Sequence, residues 1–297
     1  MKFSPHLGIG ISGSIGDRPT RAFNVDYQTM TSDSVPVKQC ASGCAVTNMV
    51  LDWCAAIGHT IIHLFQSIGR LTLFALQSVA HVLTPPFFPR LIGRQLMDIG
   101  YYSLPVVGMT ALFTGMVLAL QSYPGFARFN AESAIAAVVA LSVTRELAPV
   151  LAVGLMVAGR VGASMAAEIG TMRVTEQIDA MTTLSVNPFK YLIAPRIIAG
   201  TLMLPILVLI ADIIGVLGGY LVSIYRLGFS PGRYLTQTWD ILEPIDVMSG
   251  VYKAATFGFI VAVMGCYHGF HSDRGAQGVG AATTYAVVSS SILILIF

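Results

Sequence analysis

Charged residues are scarce in this sequence of 297 residues. Only 11% of the residues are Asp, Glu, Lys or Arg, whereas about a quarter is usual in soluble domains. Hydrophobic residues make up 55% and the mean hydropathy is +0.72. So few charges cannot cover a water-soluble fold, and lipid must therefore surround much of the chain. The net charge of +2, with no basic cluster, gives no indication of nucleic-acid binding.

The sequence also lacks a phosphate-binding loop. No Gly-Lys dipeptide occurs in it, so the glycine-rich segment 8–13 does not complete the loop by which Walker-type ATPases hold nucleotide phosphates. Any ATP must therefore be hydrolysed by another subunit. The four cysteines show neither a disulfide framework nor a second pair at zinc-ligand spacing, and we expect unpaired thiols.

Enzyme and metal sites are not indicated either. His59 with His63, and His268 with His271, lie at helical spacing, but no His-Glu-x-x-His motif or further ligand accompanies them. We interpret these histidines as interfacial side chains. Because no nucleophile–base or paired-carboxylate motif occurs, we expect no enzyme activity and no directly bound cofactor or metal.

The chain divides into a polar beginning and a long apolar region. Residues 1–48 are rich in Gly, Ser, Thr and Asp without an apolar period, and we predict a disordered extension. Residues 49–297 form one membrane domain. Its first part, Met49–Ala80, has apolar residues at helical spacing, which predicts an amphipathic helix lying along the membrane surface.

The remaining sequence predicts an all-α integral membrane protein with five transmembrane helices. The predicted spans are Tyr101–Gln121, Glu132–Met165, Ile197–Ile224, Val247–Phe270 and a last one that begins near Ala281. The second would be ~50 Å long as a straight helix, against ~30 Å of hydrocarbon. It must project from the bilayer or break, and Pro149 is the natural place for a kink. Tyr225–Asp246 is predicted to be a polar loop.

The distribution of basic residues predicts the orientation. With the N-terminus in the cytoplasm, eight Lys or Arg residues near the spans lie inside and three lie outside. Small residues recur every four positions in four spans, as in Gly250, Ala254, Gly258 and Ala262. Such stripes allow helix backbones to approach closely, either within one chain or at a dimer seam.

Ionisable residues inside the spans are candidates for function. Arg145 and Glu146 lie in an otherwise apolar span, where charge is costly unless it faces a cavity or a partner. Glu146 either lines a translocation path or forms a structural ion pair with Arg145 or Lys253. The residue types leave both alternatives open. For Asp212 we expect a structural hydrogen bond.

The segment Ala166–Met181 is charged although it lies between two apolar spans. Its charged residues, which cannot be buried in lipid, are Glu168, Arg173, Glu176 and Asp179. Val174, Ile178 and Met181 form a short apolar stripe, and Gly170 permits a turn in front of it. Such a segment is either a short amphipathic helix that docks into a partner or a solvated cytoplasmic loop.

Four sequence blocks between Leu91 and the C-terminus carry a family resemblance. They are Arg-Gln-Leu at 94–96, Gly-Met-Val-Leu-Ala-Leu-Gln at 115–121, Arg-Glu-Leu-Ala-Pro-Val at 145–150, and the glutamate-containing block at 167–181. In these blocks the sequence resembles the MlaE/TGD1/YrbE permeases of lipid ABC transporters associated with MCE proteins.

The resemblance implies a homodimeric, multi-pass permease in the bacterial inner membrane. Two copies of a separate ATPase, which uses ATP and Mg, would bind below it, and an MCE-domain protein would bind on the periplasmic side. A small STAS-domain accessory subunit is also compatible with the family. The cargo would be phospholipid or another hydrophobic molecule, as in systems that maintain outer membrane lipid asymmetry.

The same resemblance assigns two sets of residues. Those that would couple the permease to the ATPase are Glu168, Gly170, Thr171, Met172, Arg173, Glu176, Gln177, Ile178 and Asp179. Those near the lipid pathway would be Arg145, Glu146 and Lys253. The alternative from another class is an ion-coupled secondary transporter that uses Glu146 and Lys253.

Overall fold

The computed structural model describes residues 44–84, 88–128 and 134–297. These residues form eight helical elements and no strand. The elements are α1 (Cys44–Leu83), α2 (Pro89–Ala127), α3 (Ala134–Val174), α4 (Gln177–Thr183), α5 (Phe189–Tyr225), α6 (Pro231–Ile241), α7 (Pro244–Phe270) and α8 (Ala276–Ile296). The predicted all-α fold is confirmed. Most of the predicted N-terminal extension, residues 1–43, lies outside the described residues.

Five of these helices are long and apolar enough to cross a membrane, as predicted: α2, α3, α5, α7 and α8. Most of these helices are longer than the spans predicted from the sequence. The longest, α3, has 41 residues, or ~60 Å as a straight helix. It therefore projects beyond the ~30 Å hydrocarbon layer, which is one of the two outcomes that the sequence allowed.

Helix α3 does not break at Pro149 but forms wider, π-helical turns around it. Residues Val143–Leu155 of α3 form π-helical turns with Pro149 inside them, and a second π stretch covers Ala158–Gly162. Proline lacks the N–H that an α-helical turn requires. A π turn is a common way for a long helix to accommodate such a residue.

The predicted start of the last span near Ala281 is wrong. Helix α8 begins at Ala276 and has 21 residues, which is enough to cross the hydrocarbon layer. Its first residue follows Gly275, whose φ of 96° is accessible to glycine. The low hydropathy of the first turn concealed this beginning.

The predicted polar loop between the third and fourth spans contains a helix, α6. Pro231 occupies its first position, where the missing N–H costs nothing. Tyr234 is buried, and its ring packs edge-on against Tyr220 of α5 at 5.7 Å between centroids. This tertiary anchor stabilises a helix that local hydropathy did not indicate.

Helices α5 and α7 lie at the centre of the bundle, where small residues set the spacing. Helix α2 packs on α5, α5 on α7, and α7 on both α3 and α8. A side chain at Gly115 would collide with the Gly215 backbone, and one at Gly258 would collide with the Gly200 backbone. The small-residue stripes in these helices therefore serve packing within the chain.

Contacts divide the chain into two units, residues 1–60 and residues 61–297. The second unit contains the five spans and the C-terminal part of α1. In that part Phe74 is buried, and its ring lies 5.5 Å from Phe189 and 5.4 Å from Tyr267. The opposite face of α1 exposes Phe65 and Leu76, which fits the predicted surface helix.

Candidate functional site

Glu146 and Lys253 form an ion pair between α3 and α7. The Lys253 Nζ atom donates to Glu146 Oε1 at 2.7 Å and to the backbone oxygen of Arg145 at 3.2 Å. Arg145 points to a different acid, with its Nε atom 3.6 Å from Asp246 Oδ1. Of the two partners predicted for Glu146, the structure thus selects Lys253.

Three of the four charges are open rather than enclosed, whereas the Asp246 side chain is only 12% exposed. Side-chain exposure in the single chain is 64% for Glu146, 53% for Arg145 and 34% for Lys253. Counted along the helices, Glu146 lies ~18 Å from the start of α3 and Lys253 ~14 Å from the start of α7. This charge cluster therefore lies well inside two helices that are long enough to cross a membrane, and it faces outward from the chain.

Asp212 does not have the expected hydrogen bond. It lies in α5 with 6% exposure, and neither carboxylate oxygen has a partner among the described residues. A buried carboxylate without a partner destabilises a fold.

The charged segment Ala166–Met181 is divided between two helices. Helix α3 continues to Val174, and the chain then turns at Glu176, which has a left-handed backbone with φ 58° and ψ 17°. The short helix α4 follows directly. A short amphipathic helix after the second span is therefore present, and the solvated-loop alternative is wrong.

The predicted turn at Gly170 is wrong as well. Gly170 lies inside α3 and is buried, and a Cβ atom there would lie 3.3 Å from Ser272 Oγ and 3.4 Å from Val279 Cγ1. Its small size thus serves the contact between α3 and the segment that leads into α8. The chain breaks six residues later, at Glu176, after α3 has ended at Val174.

The apolar stripe of α4 faces the protein's own bundle. Ile178 is 1% exposed and belongs to the core, and Met181 packs against the same core. The expectation that this stripe docks into a partner is therefore wrong. The outward side of α4 and the end of α3 are polar instead. The exposed members of the predicted coupling set in this region are Glu168, Thr171, Arg173, Glu176, Gln177 and Asp179.

Two ion pairs hold this end of the bundle. Arg173 Nη1 donates to Asp179 Oδ1 at 3.1 Å, which connects α3 with α4 across the turn. Arg196 Nη2 donates to Glu168 Oε2 at 2.7 Å, which connects α3 with α5. The Arg196 side chain is 4% exposed and lies in the packed interior, whereas its partner Glu168 is 52% exposed.

Sequence reasoning missed Arg196 and Asp246 as partners of the predicted site residues. Arg196 received no role from the sequence, and Asp246 stood at the end of the predicted polar loop. The available signal was position, because both lie within the first turns of a span, next to acidic or basic residues of another span.

His268 and His271 have separate partners. His268 Nε2 lies 3.0 Å from Ser289 Oγ, and His271 Nδ1 lies 3.0 Å from the backbone oxygen of Tyr267. Among residues 44–84, 88–128 and 134–297, no group of three His, Cys, Asp or Glu side chains could hold a metal ion.

Comparison with known proteins shows which family this chain belongs to. Residues 92–297 match the family described as Permease MlaE. A protein from Rickettsia bellii, named a probable ABC transporter permease protein, is 60% identical over 248 residues, or 84% of this chain and 95% of its own length. The intermembrane phospholipid transport system permease protein MlaE of Haemophilus influenzae is 32% identical over 253 residues, or 83% and 95%.

A plant protein is also similar. The chloroplastic protein TRIGALACTOSYLDIACYLGLYCEROL 1 of Arabidopsis thaliana is 38% identical over 224 residues, which is 75% of this chain and 64% of the plant protein. The matched region of the family includes all of Arg145, Glu146, Lys253 and the segment 166–181. This chain is a multi-pass membrane protein that belongs to the MlaE permease family.

Proposed function

We propose that this chain is the permease subunit of an ABC transporter that moves phospholipid or another hydrophobic molecule. Transfer would take place between the bacterial inner membrane and a periplasmic MCE-domain partner. A separate ATPase would supply the energy by hydrolysing ATP with Mg. The observation that carries the proposal is the exposed Glu146–Lys253 pair, well inside two helices long enough to cross a membrane, in a chain whose relatives are named as ABC permeases.

Exposed charges at this depth support a homodimer. A charged side chain that faces hydrocarbon is costly, and such residues normally line a water-filled cavity. Glu146, Arg145 and Lys253 are all open in the single chain. A second copy placed against this face would enclose the charges in a shared cavity between the subunits.

The chemistry of the pair suits a lipid headgroup. The Lys253 ammonium binds the Glu146 carboxylate at 2.7 Å. A phosphodiester could take the place of Glu146 beside Lys253, because ammonium groups bind phosphate and carboxylate alike. The pair would thus keep the cavity neutral after one cargo molecule has left and before the next one binds.

The opposite end of the bundle offers a surface for the ATPase. The outward face of α4 and the end of α3 present Thr171, Arg173, Glu176, Gln177 and Asp179. Because α4 is joined to α3 and packs its apolar side on the bundle, force on α4 would pass directly into the helix that carries Glu146. With the basic residues inside, this surface faces the cytoplasm.

The proposal is tested with the complex reconstituted in liposomes. ATP-dependent transfer of a fluorescent phospholipid to an acceptor MCE protein should fall at least tenfold in Glu146→Gln and in Lys253→Met. Glu243→Gln is the matched control, because it removes an exposed carboxylate just outside the span. This control should transfer lipid at the wild-type rate.

Two results would overturn the proposal. The first concerns co-purification from identical preparations of wild type and Glu176→Lys. Wild-type permease that carries no stoichiometric ATPase would overturn the proposal. The second is transport driven by a proton or sodium gradient without any ATPase, which would favour the secondary transporter that uses Glu146 and Lys253.

A further inference from the structure

A polar cleft lies at the end of the bundle that carries α4. It has a volume of about 630 Å³ and lies between the first turns of α2, the end of α3 and the beginning of α5. Its polar lining includes Arg94, Gln95, Asp98, Glu168, Gln177 and Arg196. None of these residues lies near the Glu146–Lys253 pair, since Glu146 and Glu168 are ~33 Å apart along α3.

One wall of the cleft is a buried arginine that already has its ion-pair partner. Arg196 is 4% exposed; its Nη2 atom binds Glu168, and its Nη1 atom donates to the Leu192 backbone oxygen at 3.4 Å. Its Nε atom is buried and has no partner among the described residues. Since Nε has no accessible surface, Arg196 serves as a fixed wall whose charge is matched by Glu168.

The opposite wall holds one cation and one anion that are not paired. Arg94 and Asp98 both line the cleft and are exposed, and neither forms a side-chain hydrogen bond or ion pair within the described ranges. Arg196 and Glu168 neutralise each other. The cleft therefore offers one free positive group and one free negative group, which is the complement of a zwitterion.

The cleft lies at the height of lipid headgroups. Helix α2 has 39 residues, or ~58 Å against ~30 Å of hydrocarbon, so its first turns project into the headgroup layer. Apolar side chains border the polar ones, among them Leu91, Met172 and Leu192. Such a border suits the glycerol and the first methylene groups of an acyl chain.

We propose that this cleft binds the headgroup of an amine-bearing phospholipid from the cytoplasmic leaflet. Arg94 binds the phosphodiester, and Asp98 binds the ammonium group. The assignment to the cytoplasmic leaflet rests on the orientation given with the proposed function. Since Thr171, Met172 and Gln177 line the same cleft, a bound headgroup contacts the surface assigned to the ATPase.

The test measures lipid retained by the purified full-length permease with native mass spectrometry. The probes are dioleoylphosphatidylethanolamine, dioleoylphosphatidylglycerol and soluble glycerophosphoethanolamine. Arg94→Ala should weaken binding of both lipids at one site by about tenfold, because one charge-assisted contact is lost. Asp98→Asn should weaken only the ethanolamine lipid and leave the glycerol lipid unchanged or tighter.

Arg90→Ala is the matched control, since Arg90 is also exposed on α2 but does not line the cleft. It should retain lipid as wild type does. Equal retention by Arg94→Ala and Arg90→Ala would overturn the site. Equal weakening of both lipids by Asp98→Asn would overturn the zwitterion, and full competition by the soluble probe would overturn the lipid source.

These outcomes are separable from the proposed transport function. Lipid bound at Glu146 and Lys253 should be unaffected by Arg94→Ala, and lipid at the cleft should be unaffected by Glu146→Gln. Loss of ATPase association would contradict the transport proposal while leaving the retained-lipid measurement intact. If Arg94→Ala does not fold, Asp98→Asn still decides the question by lipid preference.

Discussion

Two ion pairs of equal length connect membrane helices in this protein, but they differ in burial. Lys253 meets Glu146 at 2.7 Å with 34% and 64% side-chain exposure, whereas Arg196 meets Glu168 at 2.7 Å with 4% and 52%. The first pair can exchange partners with a ligand, because water or lipid can reach both groups. The second fixes α3 against α5. Burial, rather than the chemistry of the pair, separates a site that can open from a structural joint.

The largest test of this difference concerns Ile178, which was predicted to contact a partner and is in fact core. Ile178→Asp should destabilise the fold by about 4 kcal/mol, because it removes a buried side chain and buries a carboxylate. Thermal unfolding in detergent measures the effect. Ile178→Val is the control and should cost about 1 kcal/mol. Normal unfolding together with loss of the ATPase would show that Ile178 faces a partner after all.

The next test breaks the buried pair from either side. Glu168→Ala leaves the Arg196 guanidinium buried without its acid and should cost about 3 kcal/mol. Arg196→Met should cost less, because the remaining carboxylate is half exposed and can be hydrated. Thermal unfolding of both variants gives the order. The reverse order would mean that Arg196 is held mainly by packing of its aliphatic stem.

The open pair should respond in the opposite way. Glu146→Gln and Lys253→Met should each change stability by less than about 1 kcal/mol, because exposed ion pairs contribute little. Lipid transfer should nevertheless fall at least tenfold under the proposed function. The double variant with Glu146→Lys and Lys253→Glu keeps an ion pair. It should not restore the lipid transfer that is lost in either single variant. A large drop in unfolding temperature would assign this pair a structural role.

The smallest effect is expected at the exposed pair that spans the turn. Asp179→Ala removes the partner of Arg173, whose side chain is 41% exposed, and should cost about 0.5 kcal/mol or less. The amount of ATPase that co-purifies should fall clearly, although the free energy of unfolding hardly changes. Thr183→Ala, on the same helix but outside the predicted coupling set, serves as the control.

The sequence was sufficient for the membrane helices because their signal is local. A long apolar run must be surrounded by lipid, and it therefore predicts a transmembrane helix without reference to distant contacts. All five such helices were predicted. Elements that depend on distant contacts were missed or misplaced. Helix α6 is anchored by Tyr234 against Tyr220, and Gly170 is small because of Ser272 and Val279 rather than because of a turn.

The candidate site shows the same division. The unusual position of Glu146 in an apolar run was visible, and so was Lys253 as one of its two candidate partners. The role of Arg196 was not, because its burial and its contact with Glu168 join residues that are 28 positions apart. Likewise, the stripe of Ile178 showed that α4 is amphipathic but not which surface covers its apolar side.

Helix α4 is bounded by two left-handed residues that are not glycine. Glu176 has φ 58° before the helix, and Ser185 has φ 60° after it. For such residues this conformation costs roughly 1 kcal/mol each. Glycine at either corner would remove that cost, so Glu176→Gly is an expected gain in folding stability that also removes a carboxylate. The natural sequence thus gives up some robustness to keep a side chain at each corner, and a stabilised version of this protein would begin there.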